Sequence, residues 1–100
     1  MNQNQTIPKV CVIIPNKNGL SHLVYSLPSL MNTSYSNYSC ILVDNDSSDD
    51  SISFVEHNFK SIQILENKEG KGFASTVNMG IKYALEQDAS FIAIYNSDIK

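Results

Sequence analysis

The sequence has no arginine and no tryptophan, and its 100 residues include only two cysteines, three prolines and four glycines. Proteins that bind nucleic acid usually carry a basic, arginine-rich face, whereas this chain has a net charge of −3. No apolar run reaches the ~20 residues that a membrane-spanning helix needs. Residues 1–6 are polar and uncharged, so they lack both parts of a secretion signal. We therefore expect a cytoplasmic protein with no nucleic-acid partner.

The content of hydrophobic residues, 42%, is too high for a disordered chain, and the length suits one domain with a modest core. We expect residues 1–8 to form a flexible tail and residues 9–100 to form the domain. Cys11 and Cys40 lie within apolar runs rather than in a CxxC spacing. They are predicted to be small buried side chains in a reducing compartment.

Four short apolar runs alternate with amphipathic segments. The runs cover residues 10–14, 40–43, 62–65 and 91–95. Three of them are continuous and rich in β-branched residues, which is typical of strands covered on both faces. The third run is interrupted by Gln63 and is predicted to be an edge strand.

Helical patterns fill the gaps between these runs. The first has an apolar face between Leu20 and Met31, and Pro28 is expected to bend or end that helix. The second follows N-capping residues at positions 47–51. The third carries an apolar stripe formed by Phe73, Val77, Ile81, Ala84 and Leu85. This alternation predicts an α/β fold, with a mostly parallel β-sheet and helices on both faces.

A polar loop follows each predicted strand, at residues 15–19, 44–49, 66–72 and 96–98. The carboxyl ends of parallel strands meet at one edge of a sheet, and open α/β sheets bind ligands there. Short amide and carboxylate side chains at this edge indicate a site for a polar ligand. The alternative is that these residues only turn the chain and cap helices.

Several motifs of other function classes are missing. The first loop contains only Gly19 and so lacks the G-x-G-x-x-G pattern of dinucleotide-binding proteins. Residues 70–72 lack the ending of a phosphate-binding P-loop. The acidic run from position 44 resembles an EF-hand only at its start, because Val55 occupies the twelfth position. A G-x-S-x-G nucleophile motif is also absent.

Residues 12–18, 41–51, 67–80 and 96–98 match, in this order, the motifs of a known enzyme family. They resemble the nucleotide-sugar-binding half of the inverting family 2 glycosyltransferases, which have the GT-A fold. The resemblance covers about residues 9–100. It implies a Rossmann-like subdomain that binds a nucleoside-diphosphate sugar for inverting transfer to an acceptor hydroxyl.

The resemblance also implies roles for individual positions. Asp44 would hydrogen-bond the nucleotide base, and Asp98 would bind a divalent cation, Mg²⁺ or Mn²⁺, that bridges the diphosphate. Ser47 and Asp49, with Asn45, would hold the second loop in shape. The residues that the resemblance places around the nucleotide sugar are Pro15, Asn18, Asp44, Asn45, Asp46, Gly72, Ala74, Asn78 and Asn96. For Asp44 a purely loop-shaping role stays open, and for Asn78 a packing role.

The sequence departs from the family pattern in two ways. Asn96 stands where the family usually has the first acid of its metal motif, a variant found in some members that transfer deoxysugars such as rhamnose. The chain stops two residues after Asp98, whereas the family's acceptor site and general base lie in a further segment. The resemblance therefore implies a truncated hexosyl- or deoxyhexosyltransferase that is inactive alone, with its general base beyond Lys100.

The partners implied are a UDP- or dTDP-linked sugar and a saccharide or lipid-linked acceptor, as in cell-surface polysaccharide biosynthesis. The full-length enzyme would be cytoplasmic or peripheral to the membrane. An open sheet edge beside the fourth strand predicts homo-oligomerisation. The alternative function is a non-catalytic nucleotide- or protein-binding module with a degenerate GT-A fold.

Overall fold

The computed structural model describes residues 8–32, 35, 37–69 and 72–96. Within these residues, strands and helices alternate along the chain as β1 (Val10–Asn16), α1 (Leu20–Leu30), β2 (Tyr38–Asp44), α2 (Ser51–Asn58), β3 (Gln63–Glu66), α3 (Phe73–Glu86) and β4 (Phe91–Ile94). All paired strands are parallel, and the sheet order is β3-β2-β1-β4. The predicted α/β fold is therefore confirmed.

The path of the chain places the helices on both faces of the sheet. From β1 the chain moves outward to β2 and β3, and it then returns to β4 on the other side of β1. Because crossovers are right-handed, a reversal of direction moves the connecting helix to the opposite face. Accordingly, α1 and α2 pack on one face and α3 on the other. The reversal leaves a crevice at the carboxyl ends of β1 and β4, where such sheets bind ligands.

The two central strands are buried on both faces, as their continuous apolar pattern predicts. Along β1, Ile13 packs with α3, whereas Ile14 packs with α1 and α2. Ile41 and Leu42 divide between the two faces in the same way along β2. Because successive side chains of a strand point to opposite faces, each apolar run contributes to two core layers.

Both cysteines are free and buried, and they lie on opposite faces of the sheet. Cys40 Sγ lies 3.7 Å from Met31 Sδ. Burial, with a smaller contribution from Cys11, raises the pKa of the Cys40 thiol to about 11. The thiol is therefore protonated at neutral pH and is a poor nucleophile. Its predicted role as a small buried side chain is confirmed.

Helix α1 buries Leu23 and Leu27 and contains Pro28 in its last turn. Proline cannot donate the hydrogen bond that continues a helix, and the helix ends at Leu30, as predicted. None of the three helices in the described ranges is long and apolar enough to cross a membrane.

The apolar stripe predicted for α3 is partly wrong. Phe73 and Leu85 are exposed, and the buried line of the helix consists of Thr76, Gly80 and Ala84. A Cβ atom at Gly80 would lie 2.7 Å from Cγ2 of Ile13, so glycine is required for this close approach. The helix reaches the sheet through small residues, and a search for large apolar side chains misses such a surface.

Strand β4 was predicted to be covered on both faces, and this prediction is wrong. Phe91 and Ile94 are exposed, and no residue of the strand is fully buried. The reason is its position, because β4 is an edge strand of the described sheet and α3 lies mainly over β1 and β2. The other edge strand is β3, as its sequence predicts.

Candidate functional site

A cavity of about 240 Å³ lies at the crevice between the ends of β1 and β4. Three strand ends and the first turn of α3 contribute to its wall. The lining residues are Pro15, Asn16, Lys17, Asn45, Phe73, Thr76 and Asn96. The cavity lies where the order of the strands reverses, beside β1. Its wall combines an aromatic ring, amides and one cation. Such a wall suits a ligand with a flat apolar part and a polar edge.

Asp44, at the end of β2, organises the floor of the site. Its Oδ1 accepts hydrogen bonds from Asn16 Nδ2 at 2.9 Å and from Ser47 Oγ at 2.7 Å. Its Oδ2 accepts a hydrogen bond from the Ser47 amide at 2.8 Å. The residue is 2% exposed, so both oxygens are used within the protein. Asp44 thus holds Asn16, which lines the cavity. This contact corresponds to the loop-shaping role that the sequence left open for Asp44.

The loops after β1 and β2 are joined by side-chain hydrogen bonds. Asn18 Oδ1 accepts hydrogen bonds from the amides of Ser48 at 2.7 Å and Asp49 at 3.1 Å. In return, the Asn18 amide donates to Ser47 Oγ at 2.8 Å. Asn18 has a φ of 51°, a conformation that asparagine tolerates better than most residues. The two loops therefore form one unit beside the cavity.

Asp49 connects this unit to two helices. Its Oδ2 accepts a hydrogen bond from the Leu20 amide at 3.1 Å, at the start of α1. Its Oδ1 accepts hydrogen bonds from the amide and the hydroxyl of Ser51, the first residue of α2. Burial raises the pKa of the Asp49 carboxyl, but the hydrogen bonds from Ser51 and Leu20 outweigh burial and leave the pKa below its ordinary value. The loop-shaping role that the resemblance implies for Ser47 and Asp49 matches these contacts.

The start of α3 is fixed by a second set of contacts. The buried Asn67 side chain donates from Nδ2 to Ser75 Oγ at 3.2 Å and to Thr76 Oγ1 at 3.4 Å. Thr76 Oγ1 donates to the carbonyl oxygen of Gly72 at 2.8 Å. Gly72 has a φ of 100°, and a Cβ there would meet nothing within 4 Å. Glycine is therefore favoured at this position by the backbone conformation and not by a lack of space. These contacts hold Phe73 at the wall of the cavity.

Two residues of the cavity wall, Asn16 and Asn45, each have a buried side-chain carbonyl oxygen, Oδ1, with no hydrogen-bond partner among the described residues. Buried polar atoms in proteins are nearly always paired, and an unpaired one needs an explanation. A ligand that donates hydrogen bonds to these two residues is one such explanation. Lys17, whose Nζ donates to the carbonyl oxygen of Asp46 at 3.0 Å, is the one cation among the described lining residues.

The structure brings some of the predicted site residues to the cavity and leaves others outside it. Pro15, Asn45 and Asn96 line it. Three predicted residues do not line it: the buried Asp44 holds Asn16, the exposed Asp46 accepts a hydrogen bond from Lys17, and the exposed Asn18 binds the loop after β2. Gly72 is the N-cap of α3, Ala74 is exposed on its first turn, and Asn78 lines a separate groove with Leu65 and Lys82. Asp98 lies outside the described residues.

Two lining residues, Phe73 and Thr76, were not identified from the sequence. Asn16 and Lys17 belong to the polar loop after β1 that the sequence places at the ligand-binding edge, and both line the cavity. Phe73 was assigned to the core because it fits the apolar period of α3, and only the three-dimensional position of the first turn places it in the cavity.

Within the part of the chain that the structure describes, no group of three or more His, Cys, Asp or Glu side chains is arranged to hold a metal ion. Asn96 lies at the cavity, and the predicted metal ligand is two positions further along the chain. The described residues therefore form a polar cavity at this edge of the sheet but no metal centre.

Sequence comparisons identify relatives among glycosyltransferases. A UDP-glucose:α-D-GlcNAc-diphosphoundecaprenol β-1,3-glucosyltransferase of Escherichia coli is 32% identical over 90 residues, which are 89% of this chain and 34% of the relative. An uncharacterised glycosyltransferase of Haemophilus influenzae is 31% identical over 97 residues, covering 89% of this chain and 30% of the relative. The chain thus spans about a third of the length of these curated relatives.

Solved structures show the same fold at lower sequence identity. A mannosyltransferase of Pyrobaculum calidifontis, in complex with GDP-mannose and Mn²⁺, superposes with a TM-score of 0.83 at 22% identity, covering 94% of this chain and 28% of that one. The Staphylococcus aureus protein TarS, in complex with UDP-GlcNAc, gives a TM-score of 0.79 at 23% identity, covering 90% of this chain and 26% of its own. The family model for glycosyl transferase family 2 matches residues 11–99. The chain therefore belongs to glycosyl transferase family 2 and forms the N-terminal half of a GT-A fold.

Proposed function

We propose that this chain is the donor-binding part of an inverting glycosyltransferase and binds a nucleoside-diphosphate sugar in the cavity beside β1. The observation that carries the proposal is a cavity at the switch point of the sheet whose wall includes Asn16 and Asn45, each with a buried amide oxygen that has no partner among the described residues. The N–H and O–H groups of a nucleoside are suitable donors for these oxygens. The E. coli relative, named for a UDP-glucose substrate, supports the same class of donor.

The charges around the cavity agree with a diphosphate ligand. No carboxylate is among the described lining residues, and Lys17 is part of the wall. A diphosphate close to a carboxylate would be repelled, whereas a lysine or a backbone amide attracts it. With no arginine in the chain, the remaining negative charge calls for a metal ion. The structures of the mannosyltransferase with GDP-mannose and Mn²⁺ and of TarS with UDP-GlcNAc support this class of ligand.

We assign the metal ion, Mg²⁺ or Mn²⁺, to Asp98. Such hard cations bind oxygen ligands and keep several waters when they also bind phosphate, so one or two protein oxygens suffice. The ion would stabilise the negative charge that develops on the leaving nucleoside diphosphate. Asn96 in place of an acid reduces the negative charge near the ion, and this change predicts weak metal affinity before the nucleotide binds.

The remaining parts of the reaction belong to the proposal as well. The donor would be UDP- or dTDP-linked, the transferred group a hexose or deoxyhexose, and the acceptor a saccharide or lipid-linked hydroxyl. Inversion needs a base that deprotonates this hydroxyl, and we expect that base beyond Lys100. The chain alone would then bind the donor without transferring it. We place the full-length enzyme in the cytoplasm or at the membrane surface.

Titration calorimetry tests the proposal with UDP, dTDP and GDP, each with Mn²⁺ and with EDTA. We expect at least one nucleotide to bind and Mn²⁺ to strengthen its binding. Asp98→Asn should remove the effect of Mn²⁺ and leave metal-free binding unchanged. Glu56→Gln is the matched control, because it removes one charge from an exposed position on α2. Absence of binding by any nucleoside diphosphate would refute the donor-binding function.

A second candidate is a non-catalytic nucleotide-binding module. Asn96 at the cavity favours it, because an amide is a weaker metal ligand than the acid usual in the family. Nucleotide binding that is equal in Mn²⁺ and in EDTA would support this candidate over the enzyme.

A further inference from the structure

Phe73 is the one aromatic residue among the described residues that line the cavity. It is the first residue of α3, and 57% of its surface is exposed. An exposed phenylalanine gains free energy when another apolar surface covers it. Since the core face of α3 runs through Thr76 and Gly80, the ring does not serve to pack this helix on the sheet.

The backbone that carries Phe73 is held in place. Gly72, directly before it, has a φ of 100°, and Thr76 donates hydrogen bonds from its amide and its hydroxyl to the Gly72 carbonyl oxygen, at 3.1 Å and 2.8 Å. Asn67 holds Thr76 and the neighbouring Ser75. Binding to a ring on such a fixed backbone costs less conformational entropy than binding to a ring on a mobile loop.

The remaining wall of the cavity complements the ring. Pro15 adds a second apolar surface, and Asn16 and Asn45 each have a buried amide oxygen with no partner among the described residues. An apolar ring together with hydrogen-bond acceptors matches a nucleobase, which has a flat π-face and N–H groups at its edge. A pyrophosphate group has neither feature, and the ring gives it no contact.

We propose that Phe73 is a base-binding residue, on which the base of the bound nucleotide stacks. The assignment rests on the proposed donor-binding function, and it adds that the cavity binds the base and not the phosphates alone.

The first test compares the affinity for UDP of the wild type, Phe73→Ala and Phe73→Tyr, measured by calorimetry in Mn²⁺. Stacking of a base on an aromatic side chain predicts a loss of affinity of about 10- to 100-fold for Phe73→Ala. Phe73→Tyr should retain most of the affinity, since it keeps the ring. Phe91→Ala is the control, because this phenylalanine is equally exposed but lies on β4, outside the cavity. Equal affinities of wild type and Phe73→Ala would overturn the assignment.

A second test reads the contact directly. The protein has no tryptophan, so Phe73→Trp introduces a single tryptophan at the cavity wall, and excitation at the red edge of its absorption separates its fluorescence from that of the five tyrosines. Saturating UDP should quench its fluorescence, whereas inorganic pyrophosphate with Mn²⁺ should not, and Phe91→Trp should respond to neither. No quenching by UDP, or equal quenching by pyrophosphate, would exclude stacking of the base.

The two proposals fail in different ways. If the wild type binds no nucleoside diphosphate, the donor-binding function is refuted. If the wild type binds UDP and Phe73→Ala binds it equally well, only the role of Phe73 is refuted. If Phe73→Ala weakens the binding of a UDP-sugar but not of UDP, the ring contacts the sugar, and the assignment to the base is wrong.

Discussion

Asp49 connects the loop after β2 to the starts of α1 and α2 by accepting hydrogen bonds from Leu20 and Ser51. Asp49→Asn keeps the shape of the side chain but turns an N–H group towards one of these donors. The loss of a charged acceptor at helix starts predicts a decrease of about 1–2 kcal/mol in the free energy of unfolding at pH 7. Urea denaturation measures this value. Asp46→Asn, in the same loop, is the control, because Asp46 is exposed and asparagine tolerates its φ of 55°.

The same variant makes a prediction about pH. Because the pKa of Asp49 is lower in the folded protein, the ionised carboxylate adds stability above the ordinary aspartate pKa of about 3.9. This contribution is lost as the pH falls through the folded-state pKa. The difference in stability between wild type and Asp49→Asn should therefore shrink from pH 7 to about pH 3. A difference that is the same at both pH values would contradict the proposed contacts.

At this scale, sequence reasoning identified the right positions but not all their partners. It placed Asn18 and Asp44 at strand ends that meet, and the structure shows both there. It did not show that Asp44 is turned into the protein or that Asn18 binds the second loop. These hydrogen bonds join residues far apart in the chain, and they depend on how the two loops are positioned relative to each other. The hydrophobic periodicity of the sequence carries no information about that position.

Among the elements, the contact between α3 and the sheet makes the sharpest prediction. At Gly80 an added Cβ would lie 2.7 Å from Cγ2 of Ile13 and 3.1 Å from Cγ2 of Val43, both buried β-branched side chains with little room to move. Gly80→Ala should gain up to about 1 kcal/mol in helix propensity and lose more through overpacking. We expect a net destabilisation of about 1–2 kcal/mol in urea denaturation.

Asn78→Ala is the control on the same helix, since Asn78 is exposed and its replacement gains helix propensity without crowding. It should stabilise the fold slightly. If Gly80→Ala stabilises the protein by the same amount, α3 does not approach the sheet as closely as described.

Most of the element order was predictable, because short apolar runs and amphipathic patterns determine where strands and helices form. The rotation of α3 was not, because Gly80 and Thr76 carry little hydrophobic signal. Nor was the exposure of β4, since an apolar strand has the same local pattern at an edge as in the centre of a sheet. Both errors concern what lies next to an element rather than the element itself.

For the molecule as a whole, the exposed edge of β4 predicts self-association. Phe91 and Ile94 are exposed on this strand, which is an edge of the sheet within the described residues, and the backbone groups on its outer side are able to bind a second strand. We expect the mass measured by light scattering to rise with protein concentration. Ile94→Lys should shift the protein towards the monomer, because charge on an edge strand opposes pairing. Leu85→Lys, at an exposed position on α3, controls for added charge. A monomer at all concentrations would contradict the prediction.

The hydrogen bonds between the first two loops also affect how this fold can be altered. The loop of Asn18 and the loop of Ser48 and Asp49 each supply the partners of the other. A chimaera that exchanges one of them with a relative would leave amides in the other without acceptors. Exchanging both loops together preserves the hydrogen bonds between them. The two loops are therefore the smallest unit that is exchanged without loss of these bonds when the site is redesigned.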